Sequence, residues 1–275
     1  EQRHFLEEFL YRAVHHFLKR LSAGLLNERI RIFTGRQFSH LHIKSVFHDQ
    51  VDAAGDTQQV REAHKLPLDL RPQPLPPLPL QPWHLRTGRL KTHGDAVSGR
   101  VPLVYGTNTL VCAARFEKSC PADRFFRNGD GHELWFVQEG RGLLASEYGV
   151  LAFRPGHYVV VPKGTTYRLE LESEDCLLLM VESRFPIQFA PHYLNASGQA
   201  TLMAPIVETE VDLPEFRPPR DEDGLFRVWT KHDGGFVTEM FLGHHPFDLI
   251  GWEGALYPYA FHTDDQHPLA KQTQT

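Results

Sequence analysis

The feature that most constrains the fold of this chain is the stretch from Asn128 to Tyr167, NGDGHELWFVQEGRGLLASEYGVLAFRPGHYVVVPKGTTY. Its apolar runs are short, and glycine or proline recurs between them, at Gly140, Gly142, Gly149, Pro155–Gly156 and Gly164. Short strands separated by turn residues are typical of an all-β barrel or sandwich. The stretch therefore predicts the middle of an antiparallel β-barrel.

The second half of the stretch resembles one part of the cupin sequence pattern, G-x5-P-x-G-x2-H. The pattern begins here at Gly156 and continues through Pro162 and Gly164. Tyr167 stands where the pattern has a histidine that binds metal. The spacing thus predicts a cupin-type (jelly-roll) β-barrel that has lost one ligand.

The first half of the stretch carries the other part of the pattern, which ends in E-x6-G and fits Glu133 and Gly140. The two histidines expected upstream fall on Phe126 and Asn128, or in the other register on Arg127 and Gly129. A mononuclear metal site needs about three converging nitrogen or oxygen side chains and an open position. With Glu133 as the one possible ligand, we predict a barrel without its metal.

Further strands are predicted on both sides of these turns. We expect them at Thr109–Glu117, Glu133–Gln138, Gly142–Glu147, Val150–Phe153, Tyr158–Val161, Tyr167–Leu171, Cys176–Ser183, Phe226–Thr230 and Gly235–Leu242. Alternation within these runs predicts that the following side chains point into the barrel: Leu134, Phe136, Val159, Val161, Leu169 and Leu171. After Phe261 the chain turns polar, and no closing element is visible in the sequence.

The amino-terminal part has a different sequence pattern from the barrel. Apolar residues from Phe5 to Leu21 recur with helical spacing, which predicts an amphipathic helix, and Arg29–Thr34 is a candidate strand. Leu66–Pro82 is rich in proline, which predicts a stiff linker, or alternatively a Pro-x-x-Pro ligand for an aromatic groove. The expected organisation is an extension over residues 1–65, a linker over 66–82 and a barrel portion over 83–275.

Composition excludes several classes of function. The net charge of −5 and the lack of a long basic run argue against nucleic-acid binding. No apolar run is long enough to span a membrane. The three cysteines (Cys112, Cys120 and Cys176) form no C-x-x-C pair, so we expect free thiols and a cytoplasmic location.

Histidines outside the motif offer weaker alternatives. His40, His42 and His48 lie close together, but chance proximity explains them better than a metal site. A site rebuilt from His132, Glu133, His157 and Tyr167 is disfavoured because neighbouring strand residues point to opposite faces. His244, His245 and the aromatic residues Trp252, Tyr257, Tyr259 and Phe261 are expected to serve packing, hydrogen bonding or subunit contacts.

Three segments resemble the homogentisate 1,2-dioxygenases, iron enzymes of tyrosine and phenylalanine catabolism. They are HHPFDLIGWEGALYPYAF (residues 244–261), the barrel stretch of residues 125–171, and SGRVPLVYGTN (residues 98–108). The resemblance extends over about Trp83 to Leu269. It implies a metal-free amino-terminal barrel followed by a second barrel that holds Fe(II) with two histidines and one carboxylate.

The resemblance implies oxidative ring opening of homogentisate to maleylacetoacetate. The family's iron ligands follow the segment that ends here at Phe261, so this chain is expected to be truncated, inactive alone and unable to bind Fe(II). The resemblance also implies a homo-oligomer and an aromatic small-molecule substrate for the complete enzyme. The alternative is a non-catalytic cupin module that binds a partner or a small aromatic ligand.

Overall fold

The computed structural model describes residues 31–33, 68, 70–73, 84–201, 204–248, 251–253 and 256–266. The predicted helix from Phe5 to Leu21, the cluster of His40, His42 and His48, and most of the proline-rich segment lie outside these residues. Within them the fold is mainly β, as the sequence predicts, with a few short 3-10 helices at Thr87–Arg89, Pro191–Tyr193, Glu208–Glu210 and Thr263–Asp265.

Two sheets make up most of the fold. The first has seven strands in the spatial order β11 (Val211–Asp212), β15 (Tyr259–His262), β8 (His157–Val161), β5 (His132–Glu139), β10 (Cys176–Ser183), β3 (Thr109–Phe116) and β2 (Arg100–Tyr105). The second has six, in the order β13 (Phe236–His244), β12 (Asp223–His232), β4 (Arg124–Asn128), β9 (Thr166–Leu171), β6 (Gly142–Ser146) and β7 (Gly149–Phe153). A separate pair joins β1 (Arg31–Phe33) to β14 (Gly251–Glu253).

The two sheets pack face to face across an apolar core. Trp135 on β5 lies edge-on to Tyr167 on β9, with ring centroids 5.4 Å apart, and both side chains are fully buried. Most of the remaining core residues come from strands of both sheets, because alternating strands bury one face each. The interior between the sheets is therefore where the motif residues meet.

The direction of the side chains on β5 differs from the expectation. Glu133, Trp135 and Val137 are buried, whereas Leu134 and Phe136 are only partly buried and lie outside the core cluster. The prediction that Leu134 and Phe136 point inward is wrong. Side chains alternate along a strand, and the carboxylate of Glu133 is hydrogen-bonded inside the sandwich, so Leu134 and Phe136 lie on the other face. The ring of Phe136 packs instead on Tyr158, at 5.0 Å between centroids.

For the other side chains expected inside, the prediction is confirmed. Val159, Val161 and Leu169 belong to the core cluster, and Leu171 packs against it. The three cysteines are also confirmed as free thiols, and all three are buried. Burial raises the pKa of Cys112 and of Cys176 to about 12, so both thiols stay protonated at neutral pH.

The carboxy-terminal part of the sandwich contains a strand that was not predicted, β15, beside the predicted β12 and β13. Residues Tyr259–His262 form β15, which pairs antiparallel with β8. Strand β12 pairs antiparallel with β13 on one side and parallel with β4 on the other. Strand β15 thus extends the seven-stranded sheet beyond β8, and β11 pairs with its other side.

Part of the proline-rich segment packs against the sandwich. Leu70 is buried in the core, and Leu68 packs against the core cluster. The backbone of Leu70 donates a hydrogen bond to Gly235 O at 3.1 Å. A Cβ at Gly235 would lie 2.6 Å from Arg71 N, so the close approach of the two segments needs glycine at this position.

No helix in the described parts of the chain is long and apolar enough to cross a membrane.

Candidate functional site

The residues at the cupin ligand positions do converge inside the sandwich. We call Phe126, Asn128, Glu133 and Tyr167 the four motif positions; they lie on β4, β5 and β9, and all are buried. They surround a side chain that the motif does not include, the guanidinium of Arg100 at the start of β2. A polar site therefore exists, but its centre is an arginine.

Glu133 is the acceptor at the middle of this site. Its Oε1 accepts hydrogen bonds from Arg100 Nη1 at 2.6 Å and from Asn128 Nδ2 at 2.7 Å. Its Oε2 accepts from Tyr167 Oη at 2.8 Å and from Trp135 Nε1 at 3.0 Å, with Arg100 Nη2 at 3.4 Å. These donors fill the acceptor capacity of the carboxylate, which is how a buried charge is stabilised.

Arg100 makes contact with three of the four motif positions. Besides the bonds to Glu133, its Nη2 donates to Tyr167 Oη at 2.7 Å. Its Cζ lies 4.8 Å from the ring centroid of Phe126, a cation–π contact. The fourth position, Asn128, shares the Oε1 atom of Glu133 with the guanidinium.

Asn128 bridges this site to a second buried ion pair. Its Oδ1 accepts from the backbone N–H groups of Asp130 and Gly131, which fixes the amide so that Nδ2 points at the carboxylates. Nδ2 then donates to Glu182 Oε2 at 2.8 Å as well as to Glu133. Glu182 in turn accepts from the buried ammonium of Lys231 at 2.6 and 2.7 Å.

The protonation states follow from burial and charge. Burial alone would raise the pKa of Glu133, but the charge of Arg100 and the hydrogen bonds from Arg100, Asn128 and Tyr167 hold this pKa below its usual value. Burial raises the pKa of Tyr167 well above that of a free phenol. At neutral pH the site therefore contains a carboxylate, a guanidinium and a neutral phenol.

The free space beside this network is small. A cavity of about 10 Å³ is lined by Arg100, Cys112, Glu182, Lys231 and three apolar side chains. That volume holds about one water molecule, so an aromatic ring cannot enter it.

The alternative site of His132, Glu133, His157 and Tyr167 is not assembled. Glu133 and Tyr167 are hydrogen-bonded, but His132 Nδ1 accepts from Lys163 N in the turn after β8. His157 lies at the junction of β8 and β15, where its ring is 5.0 Å from that of His262. Strand alternation thus separates His132 from Glu133, as the sequence predicts.

The junction of β8 and β15, which we call the β8–β15 seam, is a second buried polar cluster. His262 Nδ1 accepts from Asp264 N, and its Nε2 lies 2.9 Å from both Pro155 O and Arg154 Nη1. Since Nδ1 accepts, the ring proton belongs on Nε2, where it reaches Pro155 O. Gly156, at φ +91°, is required here because a Cβ would lie 2.5 Å from His262 Nε2.

His245 has a packing role, as predicted. Its buried ring contacts Phe125, Phe226 and Phe247 edge-on, at 4.8 to 5.1 Å between centroids. Its Nδ1 accepts from Phe247 N. Burial lowers the pKa of His245 to about 4, so the ring is neutral within this aromatic cluster.

Sequence reasoning located the four motif positions but missed Arg100, Glu182 and Lys231. The available signal for Arg100 was its place in SGRVPLVYGTN, a charged residue within an otherwise apolar run of strand type. Glu182 likewise follows the apolar run of β10, whereas Lys231 lies among polar residues near the end of β12 and gives no such signal. A charged residue in a buried strand needs a partner, but a sequence alone does not say which one.

A family model described as Homogentisate 1,2-dioxygenase N-terminal matches residues 41–263. The chain belongs to this family. The match starts upstream of Trp83, where the motifs place the start of the resemblance, and it includes Leu68 and Leu70, which the structure places against the core.

A curated relative of the chain comes from Saccharolobus solfataricus and is described as a "putative dioxygenase". It is 30% identical over 185 residues, which are 67% of this chain and 47% of the relative. The chain therefore spans about half the length of the curated relative it matches.

Two cupins are among the solved structures that match part of the chain. A cupin superfamily protein from Desulfitobacterium hafniense is 14% identical, with 42% of this chain and 96% of that chain covered at a TM-score of 0.30. A cupin-2 domain protein from Shewanella frigidimarina is 18% identical, with 31% and 79% covered at a TM-score of 0.27.

The iron that the homogentisate dioxygenase family implies does not fit the residues of this barrel. A non-haem Fe(II) site uses two histidines and one carboxylate. Here the corresponding positions hold Phe126, Asn128 and Tyr167, and the remaining carboxylate, Glu133, is saturated by Arg100 and its neighbours. Among the residues that the structure describes, no group of three or more histidine, cysteine, aspartate or glutamate side chains is placed to hold a metal ion.

Proposed function

We propose that this chain is the amino-terminal, metal-free cupin barrel of a homogentisate 1,2-dioxygenase-type enzyme. The whole enzyme would open the ring of homogentisate to maleylacetoacetate, with Fe(II) held in a second barrel. The chain itself serves as a scaffold and is inactive alone.

The observation that carries this proposal is the family match over residues 41–263 together with the saturated carboxylate of Glu133. The match identifies the chain with the amino-terminal part of the family. The hydrogen bonds to Glu133 leave no open coordination position for substrate and dioxygen, which ring cleavage requires. The barrel can therefore support the reaction only structurally.

Oxygen uptake tests the first half of the proposal. The purified 275-residue chain is incubated anaerobically with Fe(II), desalted, and assayed for iron content and homogentisate-dependent oxygen uptake. We expect no bound iron and no uptake above that of buffer, with a complete homogentisate dioxygenase as positive control. Iron near one equivalent with sustained uptake would overturn the proposal.

A chimera tests the scaffold role directly. Residues 41–263 replace the amino-terminal barrel of a complete homogentisate dioxygenase. We expect the chimera to load iron and to consume oxygen with homogentisate. A soluble, iron-loaded chimera without activity would show that this barrel does not act as the amino-terminal half of such an enzyme.

Self-association and a cytoplasmic location belong to the same proposal. The family resemblance implies a homo-oligomer, and strand β2 at the edge of the seven-stranded sheet exposes Val101, Val104 and Tyr105. Exposed apolar side chains on an edge strand favour pairing with another chain. Light scattering on the purified chain should give a mass above that of one copy, and a monomer at all concentrations would contradict this part.

A further inference from the structure

We propose that the guanidinium of Arg100 is a built-in cation that takes the place of the metal ion and excludes divalent metals from this barrel. The loss of histidines at the motif positions is then only part of why the barrel is metal-free. The proposal does not depend on which reaction the complete enzyme catalyses.

The position of the guanidinium is the first support. It contacts Glu133, Tyr167 and Phe126, which stand on three different strands at positions where the cupin pattern has ligands. A metal bound by Glu133 would lie about 2.0–2.2 Å from a carboxylate oxygen. Nη1 and Nη2 of Arg100 already lie 2.6 and 3.4 Å from the two oxygens. The ion and the guanidinium therefore compete for the same space.

The second support is a hydrogen bond that holds the Arg100 side chain on the side away from Glu133. Its Nε donates to Ala96 O at 3.0 Å, across the turn that precedes β2. That turn is closed by Asp95, whose Oδ1 accepts from Val97 N and from the N–H and hydroxyl of Ser98. The side chain cannot swing out to let an ion enter without breaking its hydrogen bond to Ala96 O, an acceptor that this turn holds in place.

Gly99, the residue before Arg100, also helps to position the guanidinium. A Cβ at Gly99 would lie 2.5 Å from His93 O and 2.9 Å from Asp95 O. Only glycine allows the backbone to pass this close and present Arg100 to the interior. This gives a physical reason for the sequence SGR at the start of β2.

The third support is the charge of the site. Glu133 and Glu182 are joined through Asn128, and Lys231 pairs with Glu182. Without Arg100 the carboxylate of Glu133 would be buried with neutral donors alone. A buried anion without a counter-ion is strongly unfavourable, so the emptied space would attract a cation.

The experiment compares metal binding with and without Arg100 in a barrel whose ligands are restored. Asn128→His and Tyr167→His together recreate, with Glu133, a set of two histidines and one carboxylate. This double variant is made with Arg100 kept, with Arg100→Ser and with Arg100→Lys. Co(II) is the probe, followed by its visible absorption and by equilibrium dialysis.

We expect about one equivalent of Co(II) in the Arg100→Ser protein and at least about tenfold weaker binding when Arg100 or Lys is present, which corresponds to about 1.4 kcal/mol. The Arg100→Lys protein tests whether the positive charge alone weakens Co(II) binding, because lysine keeps the charge but lacks the planar guanidinium group. Equal Co(II) affinity in all three proteins would overturn the proposal.

A second measurement keeps the natural motif residues, in case the histidine variants do not fold. Thermal unfolding of Arg100→Ser is followed with and without excess Co(II), beside the wild type and the control Arg115→Ser, which removes the ion pair of Arg115 with Asp175. Co(II) should raise the unfolding temperature of Arg100→Ser alone. A folded Arg100→Ser protein that gains nothing from Co(II), or an equal rise in the control, would also overturn the proposal.

Discussion

The Arg100 site and the β8–β15 seam both bury titratable groups, but the first contains a guanidinium–carboxylate ion pair and the second contains two histidines beside an arginine. Inside the sandwich the positive charge belongs to a guanidinium paired with Glu133. At the seam, two imidazoles, His157 and His262, lie beside Arg154. A guanidinium is charged throughout the pH range in which proteins stay folded, whereas an ordinary imidazole changes its charge near neutral pH. The comparison shows two ways of connecting strands through polar groups, and the two respond to acid in different pH ranges.

The two regions are sensitive to acid in different pH windows. The folded-state pKa of Glu133 is lowered, so its stabilisation is present above about pH 4.3 and is lost only as the pH falls below that value. The pKa of His157 is lowered by burial, by His262 and by Arg154. A histidine of this kind favours folding fully above about pH 6.5 and progressively less as the pH falls below it.

The largest expected effect follows from removing the interior cation. Arg100→Met leaves Glu133 buried without a counter-ion, so we expect the free energy of unfolding to fall by about 3–5 kcal/mol. Urea denaturation at neutral pH measures this loss. Because the two residues form one interaction, adding Glu133→Gln should cost less than the sum of the single changes. Additive losses would mean that Arg100 and Glu133 do not stabilise each other.

At the seam, His262→Ala should cost less. The change removes the acceptor for Asp264 N and the contact of Nε2 with Pro155 O, and we expect a loss of about 2 kcal/mol in the free energy of unfolding. Hydrogen exchange should locate the weakening at β15 and β8. If exchange instead rises around Arg100, the seam and the interior site are coupled rather than independent.

The pH dependence separates the two regions further. Between about pH 6.5 and pH 4.5 the wild type should lose stability on acidification, and His157→Phe should lose less because it lacks the basic ring. The double variant Arg100→Met/Glu133→Gln, which has no carboxyl to titrate at position 133, should keep the wild-type slope in this window. Unfolding temperatures measured at several pH values give both slopes, and a flattened slope in this double variant would contradict the assignment.

The smallest effect is expected for Asp212→Asn. Asp212 Oδ2 lies 3.7 Å from His157 Nε2, and the aspartate side chain is 60% exposed. Exposed pairs of this kind contribute less than about 0.5 kcal/mol. The same denaturation assay should therefore barely distinguish this variant from the wild type. A loss comparable to that of His262→Ala would show that the carboxylate is part of the seam.

Most of the sheet could be predicted, because turn residues and apolar runs are local signals. The strand predicted at Cys176–Ser183 has the bounds of β10, and the others near the motif differ from the structure by a residue or two. Strand β4, in which two phenylalanines stand between two arginines, and strand β15 were not predicted. Their apolar runs are only two and three residues long, so the local pattern is weak.

The site was predictable to a lesser degree. The spacing of the cupin motif identified Phe126, Asn128, Glu133 and Tyr167 as the residues around one point. The motif spacing could not identify Arg100, which lies on a strand outside the motif. The turn at Asp95 positions its guanidinium among the motif residues, through the hydrogen bond from Nε to Ala96 O. The orientation of β5 was misjudged for a related reason: with apolar residues at Leu134 and Phe136 and an acid at Glu133, the usual rule of burial chooses the wrong face.

The late position of β12 and β15 in the chain has a consequence for synthesis. Strand β4 pairs with β12, and strand β8 pairs with β15. During synthesis, one edge of β4 and one edge of β8 therefore remain unpaired until these later strands have left the ribosome. Contacts between distant residues make folding slow, and unpaired edges of partly folded chains are prone to aggregate. Chaperones that bind nascent chains should therefore matter more for this barrel than for a fold whose neighbouring strands are also consecutive.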